Sequence, residues 1–252
     1  MEMLTEERHK KIKELLEQQS IVKSQDLTSY LNASESTIRR DLQDLEKAGL
    51  LERIHGGAKI KNDLGTEQSM IEKSVKNVQN KQLIAETAAD QVADGDVIYL
   101  DAGTTTLEMI PFLALKKITA VTNSVHHAAK LVDLNINTII LGGTLKLSTK
   151  AIIGASGMEQ LQQFRFNKAF MGMNGVHPEF GLTTPDPEEA ALKRLAIQHA
   201  DQAFILADQS KLNKITFTKV ADLDSVILLT DYCPEDLLKE FQEKTTVKEV
   251  SK

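Results

Sequence analysis

Cysteine is nearly absent: Cys233 is the single one in 252 residues. One thiol cannot close an internal disulfide or supply a cysteine-based zinc site. There is no tryptophan, and aromatic residues make up 4% of the chain. That is too few for platforms on which successive single-stranded bases stack. No apolar run reaches membrane-spanning length and no stretch has the layout of a signal peptide, so a cytoplasmic protein with no membrane partner is expected. Surplus positive charge is missing as well. The formal net charge is −6, and residues 1–60 hold ten Lys or Arg against eleven Asp or Glu. Any binding of nucleic acid must then come from which face carries which charge. No histidine is spaced from a serine or cysteine as a triad would need, and His126-His127 lack metal spacing. Neither a catalytic set, a metal site nor a cofactor is expected. A hydrophobic content of 41% and a charged content of 26% leave a globular chain of one large or two moderate domains.

The most informative stretch is Ser34-Glu35-Ser36-Thr37-Ile38-Arg39-Arg40-Asp41-Leu42. Ser34 is an N-cap residue, able to accept the orphan N–H groups of a first helical turn. Ile38, Leu42 and Leu45 recur at i, i+4 and i+7, a helical apolar stripe. Ser36, Arg40, Gln43 and Lys47 fall on the opposite face, flanked by Thr37 and Arg39. Those side chains reach phosphates and base edges. Upstream, Thr5 opens a helical pattern with Ile12, Leu15 and Leu16 on its stripe. Ser24 is placed to cap a short helix with Leu27, Tyr30 and Leu31 on one face, and Asn32-Ala33 is a turn. Short helix, turn and longer helix make a helix-turn-helix. Gly49 suits a left-handed cap after the third helix. Leu50 to Ala58 reads as a hairpin with Arg53 and His55 near its tip, which completes a winged helix-turn-helix over 1–60.

Arg8, Ile12 and Leu16, then Ser34, Thr37, Ile38, Arg39, Arg40, Asp41 and Leu42, resemble the signature of the DeoR family of bacterial sugar-metabolism repressors. Arg53-Ile54-His55-Gly56-Gly57-Ala58 is similar to that family's wing. The resemblance implies an oligomer, dimer or tetramer, on double-stranded operator DNA. With the third helix in the major groove, Ser36, Thr37, Arg39, Arg40, Gln43, Arg53 and His55 are the expected DNA-binding residues. Asp41 is expected to be structural, pairing within the domain, and Arg8 to be structural or a phosphate contact and not a base reader.

Residues 61–77 are polar, charged and weakly patterned, and read as a linker; Lys73 within it is a candidate for coupling or effector contact. Over 78–252 short apolar runs alternate with helical stretches: Val97–Leu100, Ile118–Val121, Thr138–Leu141, Ala169–Met173, Ala203–Ala207 and Ser225–Thr230. Helix-linked strands imply a Rossmann-like parallel sheet, with ligands at its carboxyl edge. Polar residues gather at those strand ends. Asp101-Ala102-Gly103-Thr104-Thr105-Thr106 joins a glycine and hydroxyls to a helix start, the composition of an anion site. Asn123, Gly142-Gly143, Asn174 and Asp208 with Lys211 follow successive strands.

This order of motifs, with Gly181-Leu182-Thr183-Thr184, is similar to the sugar-phosphate sensor domain of the same family. The resemblance implies a phosphorylated sugar as effector, its phosphate at Gly103–Thr106. It implies Asp101, Asn123 and Asn174 at the hydroxyls, Asp208 and Lys211 on the far side, and Lys81 as a further phosphate partner. Such domains look like ribose-5-phosphate isomerases, which offers an enzyme as the alternative. Isomerisation needs a carboxylate base. Where the isomerases carry a catalytic glutamate, the sequence aligns as Lys193-Arg194, with Glu188 and Glu189 one turn earlier. Loss of the acid fits a domain that binds without turnover. The stretches Met3–His9 and Gly181–Asp186 look most like fructose-operon repressors, which points to fructose 1-phosphate. Lactose/tagatose-phosphate repressors are the near alternative.

Overall fold

The computed structural model describes residues 3–19, 21–60, 64–65 and 67–250. The chain separates into two compact units, Met1–Asp63 and Leu64–Lys252. In the first, α1 (Thr5–Gln19), α2 (Ser24–Leu31) and α3 (Glu35–Lys47) accompany three short strands, β1 (Ile21–Lys23), β2 (Leu51–Ile54) and β3 (Gly57–Ile60). Ser34 caps α3 by accepting the Thr37 N–H at 3.2 Å. Ile38, Leu42 and Leu45 are buried against Ile12, Leu16, Leu27 and Leu31. Each such side chain contributes about 1.5–3 kcal/mol on leaving water. The short helix differs from the sequence expectation. Lys23, not Ser24, stands at its N-cap, and the Ser24 N–H donates to Gly56 O at 2.8 Å. Tyr30 is exposed, since eight residues of helix bury only Leu27 and Leu31.

The hairpin β2–β3 turns on His55 and Gly56, the latter at φ +79°, and β1 pairs antiparallel with β3 to make a third strand. Gly57 is required by that pairing. A Cβ there would stand 2.0 Å from Val22 O.

The second unit centres on a seven-stranded parallel sheet of β4 (Val97–Leu100), β5 (Thr119–Thr122), β6 (Asn137–Ile140), β9 (Phe166–Gly172), β12 (Ala200–Leu206), β14 (Ile227–Thr230) and β15 (Thr246–Glu249). Their spatial order is β15-β14-β12-β9-β4-β5-β6, so the winding reverses between β4 and β9. That is the doubly wound topology, with its switch point at the carboxyl ends of those two strands. Two small antiparallel additions complete the strands: β7 (Thr144–Leu145) with β8 (Ile152–Ile153), and β10 (Gly175–His177), β11 (Gly181–Thr184) and β13 (Thr218–Ala221). Alternation along β4 sends Ile98 and Leu100 to one apolar layer and Tyr99 to the other. The first layer is closed by α5 (Val78–Asp90), α6 (Thr104–Met109) and α7 (Val125–Asp133). The second is closed by α8 (Ala155–Leu161), α9 (Pro187–Gln198) and α10 (Glu235–Gln242). Among the described residues no helix is long and apolar enough to cross a membrane.

Of the stretch expected as a linker, positions 61–63 and 66 lie outside the described residues, and the rest is fixed on the second unit. Leu64 O accepts from Phe217 N, and the Met70 N–H donates to Ser148 O at 3.0 Å. A capped helix α4 (Met70–Ser74) follows. Glu67 meets Lys73 at 3.0 Å and Lys146 at 2.6 Å, and Lys146 also meets Asp186 and Glu189. These contacts come from residues far along the chain, which local patterning cannot register.

Candidate functional site

On the first unit, α3 presents Ser36, Arg39, Arg40 and Gln43 to solvent. The side chains of Arg39, Arg40 and Gln43 have no hydrogen-bond partner among the described residues. Thr37 is half-buried, and its hydroxyl and that of Ser36 lie 2.8 and 2.9 Å from Ser34 Oγ. The face is held from behind. Asp41, 3% exposed, accepts from Arg8 Nε at 2.7 Å and Arg8 Nη2 at 3.0 Å, with His9 Nε2 at 3.1 Å. This two-pronged pair ties α1 to α3 and sets the roll of the exposed face. On the hairpin, His55 is exposed at the tip. Arg53 is half-buried, with its N–H donating to Glu46 Oε1 at 2.9 Å and its guanidinium 3.9 Å from Glu46.

On the second unit, polar groups converge at the switch point. Asp101 follows β4 and is 3% exposed. Its Oδ2 accepts from the Gly172 N–H at 3.2 Å and from the ammonium of Lys193 in α9. Lys193 Nζ also donates to Gly172 O at 3.0 Å. A Cβ on Gly103 would lie 3.6 Å from Gly172 Cα, so the two loops touch backbone to backbone. Thr104 and Thr105 stand at the first turn of α6, 8% and 6% exposed, with hydroxyls unpartnered among the described residues. Asn123, after β5, is 2% exposed. Its Nδ2 donates to Ile152 O at 3.3 Å, while its Oδ1 has no partner among the described residues. A buried acceptor left open is costly unless a ligand donor or water meets it.

Beside this crevice lie Lys81 and Lys211. Lys81 in α5 is 4% exposed and donates to the carbonyls of Lys73 and, at 2.7 Å, Lys76. Burial lowers its pKa, Asp208 and Glu108 oppose that, and Lys73 and Lys76 add to it. Lys211 is pushed down to about 8 by burial; Asp208 opposes that, and the like charges of Lys73, Lys214 and Lys81 add to it. Lys81 and Lys211 thus share the nearby Asp208. That carboxylate is itself engaged: Asp208 Oδ1 accepts from Asn77 Nδ2 at 3.1 Å and from Ser210.

Several expected site residues are placed differently from the sequence reading. Thr106 is wholly buried. Its hydroxyl lies 2.6 Å from Asp101 O, 2.9 Å from Gly103 O and 3.0 Å from His127 Nε2. It therefore braces the loop and does not face a ligand. His127, noted in the sequence only as lacking metal spacing, is the other half of that brace. Its Nδ1 is 2.8 Å from Ser124 Oγ, and burial pushes its pKa down to about 3, so it is neutral. The Gly142 N–H is already taken by Gln160 Oε1 at 2.9 Å, and Gly143 is turned against Ile153 O, 2.6 Å from where its Cβ would be. Asn174 accepts from Thr184 Oγ1 at 3.0 Å. Lys193 is the residue the site reading missed. Its sequence signal was the charge reversal at Lys193-Arg194, read as loss of an acid and not as gain of a partner for Asp101.

Residues 8–63 match the DeoR-like helix-turn-helix domain, and residues 76–232 match the DeoR C terminal sensor domain. The uncharacterized HTH-type transcriptional regulator FruR of Bacillus subtilis is 49% identical over 98% of this chain and 99% of its own. The lactose phosphotransferase system repressor of Staphylococcus epidermidis is 32% identical over 87% of this chain and 89% of its own. Among solved structures, the likeness to ribose 5-phosphate isomerase A of Methanocaldococcus jannaschii is weak. Its TM-score is 0.42 at 19% identity, covering 54% of this chain and 55% of that one.

Proposed function

The chain belongs to the DeoR family of DNA-binding transcriptional regulators, and on that premise we propose that it represses a sugar-utilisation operon until a phosphorylated sugar binds its second unit. It is a regulator and not an enzyme. The observation that carries the proposal is the convergence of the buried Lys81 and Lys211 on Asp208 at the carboxyl edge of the sheet. Lys211 is driven down to about 8 by burial and by neighbouring ammonium groups. A dianionic phosphate relieves that repulsion, and the relief is binding energy. Thr104 and Thr105 supply hydroxyls and first-turn N–H groups beside it. Asp101, steadied by Lys193, and the open acceptor of Asn123 suit sugar hydroxyls.

The operator is read by Arg39, Arg40 and Gln43, with Ser36 and Thr37 at the phosphate edge and Arg53 and His55 on the wing. Two copies engage one operator, since a single helix of this kind covers one half-site. The effector weakens operator binding by no more than its differential affinity for the two states. Fructose 1-phosphate is the first effector to test, on the resemblance of Met3–His9 and Gly181–Asp186 to fructose-operon repressors. The resemblance to lactose/tagatose-phosphate repressors makes tagatose 6-phosphate the second to test.

A thermal-shift screen tests this. Fructose 1-phosphate and tagatose 6-phosphate are compared with unphosphorylated fructose at concentrations well above the expected dissociation constant. A rise with one sugar phosphate, lost in Thr104→Ala and Lys211→Ala, supports the reading. If no sugar phosphate raises the melting temperature, the effector class is wrong and only the operator-binding half stands.

A further inference from the structure

The covalent path from the second unit to the first runs through residues 67–77, and both sides of the proposed effector site take hold of it. On the phosphate side the hold is Lys81. Its ammonium donates to the carbonyls of Lys73 and, at 2.7 Å, Lys76, one in the last turn of α4 and one just beyond it. Carbonyls where a helix ends lack partners further along it, and Lys81 draws two of them together. A phosphate that attracts this ammonium competes with those carbonyls for it.

On the sugar side the hold passes along α9. Lys193, which bonds Asp101, lies one helical turn from Glu189 on the same face. Glu189 is buried, and its Oε1 accepts from Thr149 at 2.7 Å and from Lys146 at 3.0 Å. Lys146 also pairs with Asp186, the N-cap residue of α9, at 2.7 Å and donates to Glu67 Oε2 at 2.6 Å. A shift of Asp101 thus reaches Glu67 through one ammonium, one turn of helix and a second ammonium. Glu67 is where the two holds meet, because its Oε1 accepts from Lys73 at 3.0 Å. Burial raises the pKa of Glu67, but Lys73 and Lys146 more than offset that and keep the carboxylate ionised. A largely buried carboxylate between two cations has few arrangements that leave no charge unpaired, so a small displacement has a discrete outcome.

We propose that Glu67 is the residue through which effector occupancy reaches the operator-binding unit. Held to Lys73 and Lys146, it fixes residues 67–77 in one arrangement; the bound sugar phosphate, by drawing on Lys81 and Asp101, releases it. The inference rests on the effector reading above and adds the route of the response. Glu67 belongs to neither binding surface and is a positioning residue. Its loss should change the coupling between the two sites and not the affinity of either alone.

Glu67→Gln keeps the shape of the side chain and removes its charge. Lys146 retains Asp186 and Glu189, so the variant does not strand it. For the full chain, binding to the DNA upstream of its own gene is measured by gel shift with and without fructose 1-phosphate, then with tagatose 6-phosphate. Binding of each sugar phosphate alone is measured by calorimetry. In Glu67→Gln both separate affinities should stay within about twofold of the parent's, while the factor by which the sugar phosphate weakens DNA binding falls by about two- to thirtyfold. Lys146→Gln breaks the same link from the other side and decides the matter if Glu67→Gln does not fold. Lys168→Gln is the control. It breaks a similarly buried ion pair, with Asp96 at 2.6 Å, at the amino end of the sheet, and should keep the parent's factor. If the factor is undiminished in Glu67→Gln, or in Lys146→Gln where that is the variant that folds, the route is wrong and the effector reading stands. An equal fall in Lys168→Gln reports general loosening and overturns the route as well. If neither sugar phosphate weakens DNA binding by the parent, the effector reading falls and this inference with it.

Discussion

Raising the pH from 7 to 9 is expected to weaken effector binding about tenfold. Lys211 is held at about 8, against 10.5 for an ordinary lysine, by burial first, with Asp208 opposing and Lys73, Lys214 and Lys81 adding to the fall. A phosphate needs the charged form. With a pKa of about 8, roughly nine-tenths of the free protein carries that charge at pH 7, about half at pH 8 and about one-tenth at pH 9. Binding the dianion raises the Lys211 pKa again, so above pH 8 each binding event takes up a proton. The ligand adds no slope of its own there, because a phosphate monoester loses its second proton near a pKa of about 6. The stability linkage runs the opposite way. The unfolded chain keeps this proton up to about 10.5 and the folded chain only to about 8, so the residue's contribution to stability rises between those values. Calorimetric titration of the sugar phosphate found in the thermal screen, at pH 7, 8 and 9 and in buffers of different ionisation enthalpy, reads both affinity and proton uptake. In Lys211→Arg the charge does not titrate, and binding should persist with the pH dependence gone. An affinity that stays flat in the parent, or an equal fall in Lys211→Arg, would refute the reasoning.

Three further outcomes are expected. Arg39→Ala combined with Arg40→Ala should abolish tight operator binding while the melting temperature stays at the parental value, because both side chains are exposed and unpartnered. If both contact phosphates, any residual binding should lose about two from its salt slope; parental affinity in a gel-shift titration would remove α3 from the recognition role. Asp41→Ala should cost the first unit about 3–5 kcal/mol, since it leaves Arg8 buried without its carboxylate. Urea unfolding followed at the helix signal checks this, and a transition like the parent's would contradict it. Lys193→Met should remove the sugar-phosphate response, because Asp101 loses the ammonium that steadies it at the switch point. Retention of the full thermal shift in that variant would reduce Lys193 to a packing role.

The parts of this protein that depend on neighbours a few residues away could be read directly. The 3.6-residue recurrence of Ile38, Leu42 and Leu45, the Ser34 cap and the turn before it specify a helix and its buried stripe. The polar face follows by subtraction, which is why Arg39, Arg40 and Gln43 stand exposed as expected. The short apolar runs between helical stretches likewise specify a parallel sheet, because strands joined by helices must run the same way. Strand ends rich in glycine, threonine and asparagine could be located at the carboxyl edge of the sheet for the same local reason. What local pattern could not supply is the direction in which a polar side chain turns once a distant segment arrives. Arg8 and Asp41 meet across 33 residues of sequence, and Lys193 and Asp101 across 92. Thr106 was indistinguishable from Thr104 and Thr105 in the string Thr-Thr-Thr. Only the arrival of His127 from α7 and the curl of the 101–103 loop turn its hydroxyl inward. The three-residue strand β1 and the anchored residues 67–77 were invisible for the same cause. Short elements are stabilised by partners remote in the chain, and a helical or alternating period needs more residues than they contain. Chain-local chemistry sufficed for the third helix and the sheet, and tertiary packing alone settled which polar groups at the switch point stay open and which brace the loops around them.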